Sequence, residues 1–164
     1  MFIPLYIANT LGVGPFILGV GLMIMQLAGL IAGPIAGIFS DNKGRRTIVF
    51  VGLLITTIIT IFIGMIVNVT LYLVLIGILG FALFAVRPVI HSWLMDLTPK
   101  NLGGSATSLL FATQSALSAA VPLGGGLIAD AYGLNIVFYL LAVFIFLATI
   151  LVLFIPDSKK GGNG

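Results

Sequence analysis

Residues Gly33 to Arg46 read GPIAGIFSDNKGRR. A long apolar run ends there in Asp41, Asn42, Lys43, Gly44, Arg45 and Arg46, and a second begins at Thr47. Three of the seven Lys and Arg residues of the chain fall within this short segment. A tight charged turn between two hydrophobic runs is what a chain makes when it leaves a bilayer and re-enters it.

Composition agrees with that reading. With 60% hydrophobic and 7% charged residues, the 164-residue chain has too little polar surface to cover a soluble globule. Its apolar runs reach the roughly 20 residues that span hydrocarbon, where only helices and closed barrels satisfy their own backbone. The expected fold is therefore an all-α integral membrane protein, with the lipid bilayer as its surroundings. The absence of cysteine excludes disulfides, thiolate metal sites and thiol catalysis. The net charge of +3 is spread one to three cations per loop, without the basic and aromatic surface that holds a phosphate backbone, so no nucleic acid partner is expected. No paired carboxylates, metal cluster or nucleophile with a supporting base converges anywhere, which argues against an enzyme and against a cofactor or metal.

In chain order, Met1 to Ile7 is apolar but too short to cross, lacks the features of a signal peptide, and reads as the end of a helix whose beginning is missing. Five full spans follow, predicted over Pro15–Phe39, Thr47–Val67, Leu71 to about Met95, Ser105 to about Ala129, and Leu134–Ile155. The connections are Ala8–Gly14, the charged turn, Asn68–Thr70, Asp96–Gly104 and Asp130–Gly133, and residues 158–164 form a polar, glycine-rich, flexible tail. Residues 1–157 make one bundle. In the first span Gly29, Gly33 and Gly37 share a helix face, either as a stripe for close approach of a neighbour or because glycine is common in such helices. Ser105, Ser108, Ala112, Ser115 and Ala119 mark a similar small-residue face on the fourth span. Thr56, Thr57 and Thr60 are expected to bond back to their own helix.

Counting alternate sides, all seven Lys and Arg fall at or near one face, and only Asp130 lies on the other. The positive-inside rule then places residues 40–46, residues 96–104 and the carboxy terminus in the cytoplasm, in a plasma or inner membrane.

The run from Gly37 through Asp41 to Gly44, Arg45 and Arg46 resembles the signature loop of the major facilitator superfamily of secondary transporters, G-x-L-A-D-R-x-G-R-R, between the second and third helices of a six-helix half. Phe39 and Ser40 stand for the usual Leu and Ala, and Asn42 for the usual basic residue. The resemblance implies a helical bundle of about five complete transmembrane helices plus the end of a sixth, and a loop that latches the cytoplasmic side in one conformation and releases it in the other. Read physically, Gly37 lets the helix end pack tightly, Asp41 caps a helix or pairs with a cation, Gly44 permits the turn, and Arg45 and Arg46 anchor to headgroups or carboxylates. A turn with only topological duties explains the arginines but not the glycines or the aspartate.

Val121 to Gly126, with Pro122, Gly125 and Gly126, is similar to the family's fifth-helix pattern G-P-x-x-G-G, associated with antiporters, although Val121 replaces its leading glycine. Pro122 removes a helix hydrogen bond, so this span either flexes or is simply a kinked packing helix. Arg87 lies within the third span, where a cation costs roughly 2.5–3.5 kcal/mol on insertion scales. It either snorkels to the interface or faces the interior to pair with a carboxylate, a substrate anion or a carbonyl. His91 follows on the same face. Gln26 and Gln114 sit near the middle of the first and fourth spans, at the depth where repeat-built transporters hold substrate. With the truncated helix counted first, these spans are the second and fifth of six, equivalent members of two three-helix repeats. Gln26, Gln114 and Arg87 are the candidate cavity residues, against a structural hydrogen bond for the glutamines.

The four acidic residues, Asp41, Asp96, Asp130 and Asp157, are all placed at interfaces or loops, so no buried carboxylate is present to carry a coupling proton. The resulting expectation is half of a two-bundle transporter working by alternating access, more readily the carboxy-terminal half, with a small drug or metabolite as substrate and the missing six-helix half as partner. The alternatives are a small multi-pass scaffold or assembly protein and a half-size pore that oligomerises.

Overall fold

The computed structural model describes residues 14–66, 68–99 and 101–156. The expected helix end at Met1–Ile7, most of the Ala8–Gly14 turn and the tail at 158–164 lie outside the described residues. Five helices are present among those described: α1 (Pro15–Lys43), α2 (Arg45–Ile63), α3 (Val69–Leu97), α4 (Gly103–Tyr132) and α5 (Leu134–Val152). All five are long and apolar enough to cross a membrane, which makes this a multi-pass membrane protein with an all-α bundle.

Each predicted span contains a helix, but several boundaries move. Helix α1 runs four residues past Phe39 through Asp41, Asn42 and Lys43, α3 reaches Leu97, and α4 covers Gly103 to Tyr132. Hydropathy marks only the hydrocarbon-embedded part of a helix. At 1.5 Å per residue the 29 residues of α1 extend about 44 Å, well beyond a core about 30 Å thick, so its polar end continues into the headgroup region. Helices α2 and α5, at 19 residues each, instead stop short of their expected ends at Val67 and Ile155.

The turn at 41–46 is consequently tighter than expected: Gly44 alone separates α1 from α2. Its φ of 93° and ψ of 142° belong to a region open essentially to glycine, and its N–H donates to the Ser40 carbonyl at 3.0 Å. Gly133 repeats the arrangement between α4 and α5, with φ 90°, ψ 158° and an N–H donated to Ala129 at 2.9 Å. A long helix, one glycine and a 19-residue helix thus occur twice. The expected loop Asp130–Gly133 shrinks to Gly133, with Asp130 in the last turn of α4.

Helix α3 is the hub. Its Tyr72, Ile76, Leu79, Gly80, Val86 and Val89 are buried against α1 and α2, and α5 completes the core through Val137 and Phe138. Asn68 starts α3 by accepting hydrogen bonds from the Thr70 and Leu71 N–H groups, at 2.9 and 3.2 Å. Large apolar side chains on the outside, such as Phe16, Leu30 and Leu127, face what lipid would cover. The threonines behave as expected, Thr56, Thr57 and Thr60 donating to the carbonyls of Gly52, Leu53 and Thr56 at 2.7–2.9 Å.

The glycine stripe on α1 does not serve as one packing face. A Cβ on Gly29 would lie 2.6 Å from the Phe84 ring, whereas Gly33 and Gly37 have open space around theirs. The buried row is the neighbouring one, Ala32, Ala36 and Ser40. Gly37 therefore does not tighten the helix end, although its carbonyl accepts from the Ser40 hydroxyl at 2.8 Å. The backbones of α1 and α3 approach closely at Gly80, where a Cβ would meet the Met25 carbonyl oxygen at 2.6 Å. On α4 the small-residue face likewise has no partner among the described residues: Ser105, Ser108, Ala112, Ser115 and Ala119 are not buried, and Gly103 is the only buried residue of that helix.

Candidate functional site

Two groups of polar residues stand out from this apolar background. The first ties helix ends together at the Gly44 turn. Because Gly44 turns the chain so sharply, Arg45 begins α2 beside the last turn of α3. Its Nε donates to Asp96 Oδ2, and its Nη2 lies 3.7 Å from Asp41 Oδ1. The Arg45 side chain is 20% exposed, Asp96 35% and Asp41 68%, so the Asp96 contact is the stronger of the two. Arg46 donates to the Leu153 carbonyl just beyond α5, and the Trp93 indole N–H donates to the Pro156 carbonyl at 3.2 Å. Asn42, where a basic residue was the family expectation, donates to the Ile38 carbonyl of its own helix at 3.1 Å. Gly44, Asp41, Arg45 and Arg46 thus lie together at one turn, and Gly37 contributes only a carbonyl. Asp96 and Trp93 were missed. Asp96 stands at the start of the expected 96–104 loop, although an acid within one turn of a span's end, on the same side as three cations, is the signal that finds it.

The second group lines a cavity of about 870 Å³ between α3 and α4. Arg87 and His91 come from α3, and Phe111, Gln114, Ser115 and Ser118 from α4. The spacing of four between Arg87 and His91, and of three or four along α4, puts each set on one helix face. The Arg87 guanidinium carbon lies 5.1 Å from the centroid of the Phe84 ring, a cation–π contact, and that ring is the one seated over Gly29 of α1. Among the described residues no carboxylate or carbonyl accepts a hydrogen bond from Arg87. The His91 and Phe111 rings meet across the cavity with centroids 5.2 Å apart, tilted by 41°. Pro122 removes the backbone donor that would normally meet the Ser118 carbonyl, at the same wall.

Of the sequence-derived cavity residues, Arg87 and Gln114 line the same open-sided groove, while Gln26 on α1 is not among its lining residues; all three side chains are exposed. The α4 helix runs unbroken through Pro122. Gly125 lines an apolar cavity of about 460 Å³ with Leu117, Val121, Ile128, Leu141 and Phe144, between α4 and α5. Gly126 has open space where a Cβ would stand, so no neighbour among the described residues requires it to be glycine. No group of three metal-ligating side chains occurs among the described residues.

The Major Facilitator Superfamily profile matches residues 1–164. The chain is 35% identical to a Multidrug resistance protein MdtG from Rahnella sp. (strain Y9602), over 97% of this chain and 41% of that protein. It is 32% identical to the proteins of the same name from Salmonella arizonae and Salmonella typhi, over 97% of this chain and 42% of each. The chain thus spans about two fifths of the length of the curated relatives it matches. Helical architecture, a signature loop held by its own arginines, and a match along the whole sequence agree: the chain belongs to the Major Facilitator Superfamily.

Proposed function

We propose that this chain is one six-helix half of a two-bundle secondary transporter that exports small, drug-like molecules by alternating access. The observation that carries the reading is the cavity holding Arg87, His91 and Gln114, a polar space within the span of two membrane helices. Polar groups at that depth are costly unless they serve a pathway. The relatives named multidrug resistance proteins support a drug-like substrate. In this account the second bundle closes over the exposed small-residue face of α4, and substrate sits between the bundles against Gln114 and Arg87. The Gly44 turn, with Arg45 on Asp96 and Arg46 on the Leu153 carbonyl, faces the cytoplasm of a plasma or inner membrane. It holds that end of the bundle rigid while the bundles rock. Export against a gradient makes the transporter an antiporter, with the coupling group outside this acid-poor chain.

Export from an efflux-deficient bacterial host expressing the complete reading frame tests the proposal. Resistance and measured export are expected to rise with the wild type. They are expected to fall with Gln114→Leu and to fall less with Gln26→Leu. Unchanged transport after both become leucine removes the glutamines from the pathway. The reading frame upstream of Met1 tests the assignment to the second half: six or more further hydrophobic spans ahead of it support that assignment, and spans found only downstream reverse it.

A further inference from the structure

We propose that the groove between α1, α2 and α3 seats one phospholipid with an anionic headgroup, an acyl chain lying in the groove and the phosphate at Lys43. The proposal goes beyond the transport reading and does not depend on it. The groove has a volume of about 300 Å³, and every residue lining it is apolar. Its floor is small and buried: Ala36 of α1, Gly52 of α2, and Ala82 and Ala85 of α3. Larger side chains, Phe39, Val51, Ile55 and Ile78, stand partly exposed along its rims. Ile78 and Arg87 are nine residues apart on α3, about two and a half turns, so the groove opens on the opposite side of that helix from the space lined by Arg87 and His91. What surrounds it there is hydrocarbon, and a flexible acyl chain fills a groove that would otherwise leave its walls without contacts.

Depth and charge name the lipid. The 19 residues of α2 extend about 28 Å, so Arg45 stands at one edge of a hydrocarbon core about 30 Å thick. Ile48 and Ile55, two lining residues of that helix, lie about 6 and 17 Å along it from Gly44. The groove thus begins near the headgroups and ends near the midplane, the reach of a chain from the leaflet at the Gly44 end. At its mouth Lys43 has its Nζ 5.7 Å from the centroid of the Phe39 ring, and Phe39 is itself a wall of the groove. Among the described residues no carboxylate lies within ion-pair distance of Lys43, while Asp41 and Asp96 both face Arg45. Three cations, Lys43, Arg45 and Arg46, against those two acids leave this end positive. That charge attracts an anionic headgroup and repels the ammonium of a zwitterionic one.

The test is native mass spectrometry of the delipidated product of the complete reading frame, titrated in detergent with phosphatidylglycerol or phosphatidylcholine carrying the same palmitoyl and oleoyl chains. The first phosphatidylglycerol is expected to bind about fivefold tighter than the first phosphatidylcholine, the worth of one lysine beside an anionic headgroup. Lys43→Gln is expected to abolish that preference and leave phosphatidylcholine binding unchanged. Val51→Trp and Ile55→Trp, which fill the groove from its rim and its inner end, are each expected to weaken the first binding of both lipids several-fold and to keep the preference. Leu147→Trp, on the exposed side of α5, is the control and is expected to bind both as the wild type does. Glycerol phosphate, a headgroup without chains, is expected not to compete. Equal affinities for the two lipids, or a preference that survives Lys43→Gln, overturn the headgroup contact and with it the proposal. First-lipid binding unchanged in both groove variants overturns the seat of the chain. Competition by glycerol phosphate makes the turn a plain anion site, and a wild-type dimer that Val51→Trp converts to monomer gives the groove to a second copy; either result overturns the proposal. None of these outcomes bears on whether the protein transports.

Discussion

Replacing Gly80 by alanine places a methyl carbon 2.6 Å from the carbonyl oxygen of Met25 and 2.9 Å from its Cα, on the facing helix α1. Both atoms are backbone, so no side-chain rotation relieves the clash. Ordinary contact begins at 3.4 Å, so the two helices must part by about 0.8 Å at that point. A separation of that size forfeits a quarter to a half of each dispersion contact in the neighbourhood, and overpacking of this kind costs about 1–3 kcal/mol. With rigid atoms on one side the upper end applies, offset by about 1 kcal/mol from the better helix propensity of alanine. A net loss of about 2 kcal/mol follows. It can be read from denaturant titration in mixed micelles followed by Trp93, the single tryptophan, which is buried on α3. Gly33→Ala and Gly37→Ala, whose Cβ positions are open, are the controls and are expected to change stability by under about 0.5 kcal/mol. Gly80→Ala as stable as the wild type, or a loss in the controls instead, would refute the assignment of the α1–α3 contact to Gly80.

Other consequences are open to measurement. A double-mutant cycle on Arg45→Ala and Asp96→Ala is expected to give a coupling of up to about 1 kcal/mol, with close to nothing for Arg45 and Asp41, and equal couplings would contradict the exposures of the two acids. Trp93→Phe removes the hydrogen bond to the Pro156 carbonyl and is expected to cost about 0.5–1.5 kcal/mol in a denaturant titration of wild type and variant both followed by far-ultraviolet circular dichroism. Gly44→Ala and Gly133→Ala force a side chain into φ near 90° and are each expected to cost about 1–3 kcal/mol, visible as a lower melting temperature in detergent, whereas neutral substitutions would mean the turns relax to another conformation.

Much of the fold is legible in the sequence because one physical demand, burial of backbone in hydrocarbon, dominates the pattern of each span. The runs from Pro15 to Leu134 announce five helices, and the GPIAGIFSDNKGRR stretch carries both the turn and the family. Boundaries are less legible. Hydropathy is silent about helix that continues into headgroups, which is why Asp41 to Lys43, Asp96 and Asp130 prove helical. Packing faces are hardest. Spacing of four makes Gly29, Gly33 and Gly37 equivalent in one dimension, yet only the neighbour decides, and Phe84 reaches just one of them. Gly77 and Gly80, which meet Ile24 and Met25, carried the same small-residue signal at a spacing of three and were overlooked. In the candidate site, Arg87, Gln114 and His91 were visible as polar groups in apolar helices. Their convergence, and the separation of Gln26 from them, depends on how α4 leans on α3, which no single helix encodes.

The central claim, that the space between α3 and α4 belongs to an alternating pathway, is tested most directly by thiol accessibility. This chain has no cysteine, so in the complete reading frame, with any cysteine outside these residues replaced by serine, Ser115→Cys supplies the one thiol, and Leu147→Cys on the exposed side of α5 serves as a control in the same background. In vesicles of both orientations, a membrane-impermeant maleimide is expected to modify Ser115→Cys from either side, more slowly once a transported dye saturates the protein, and to leave Leu147→Cys unreacted. Labelling of Ser115→Cys from neither side, or from one side only with and without dye, would contradict the account.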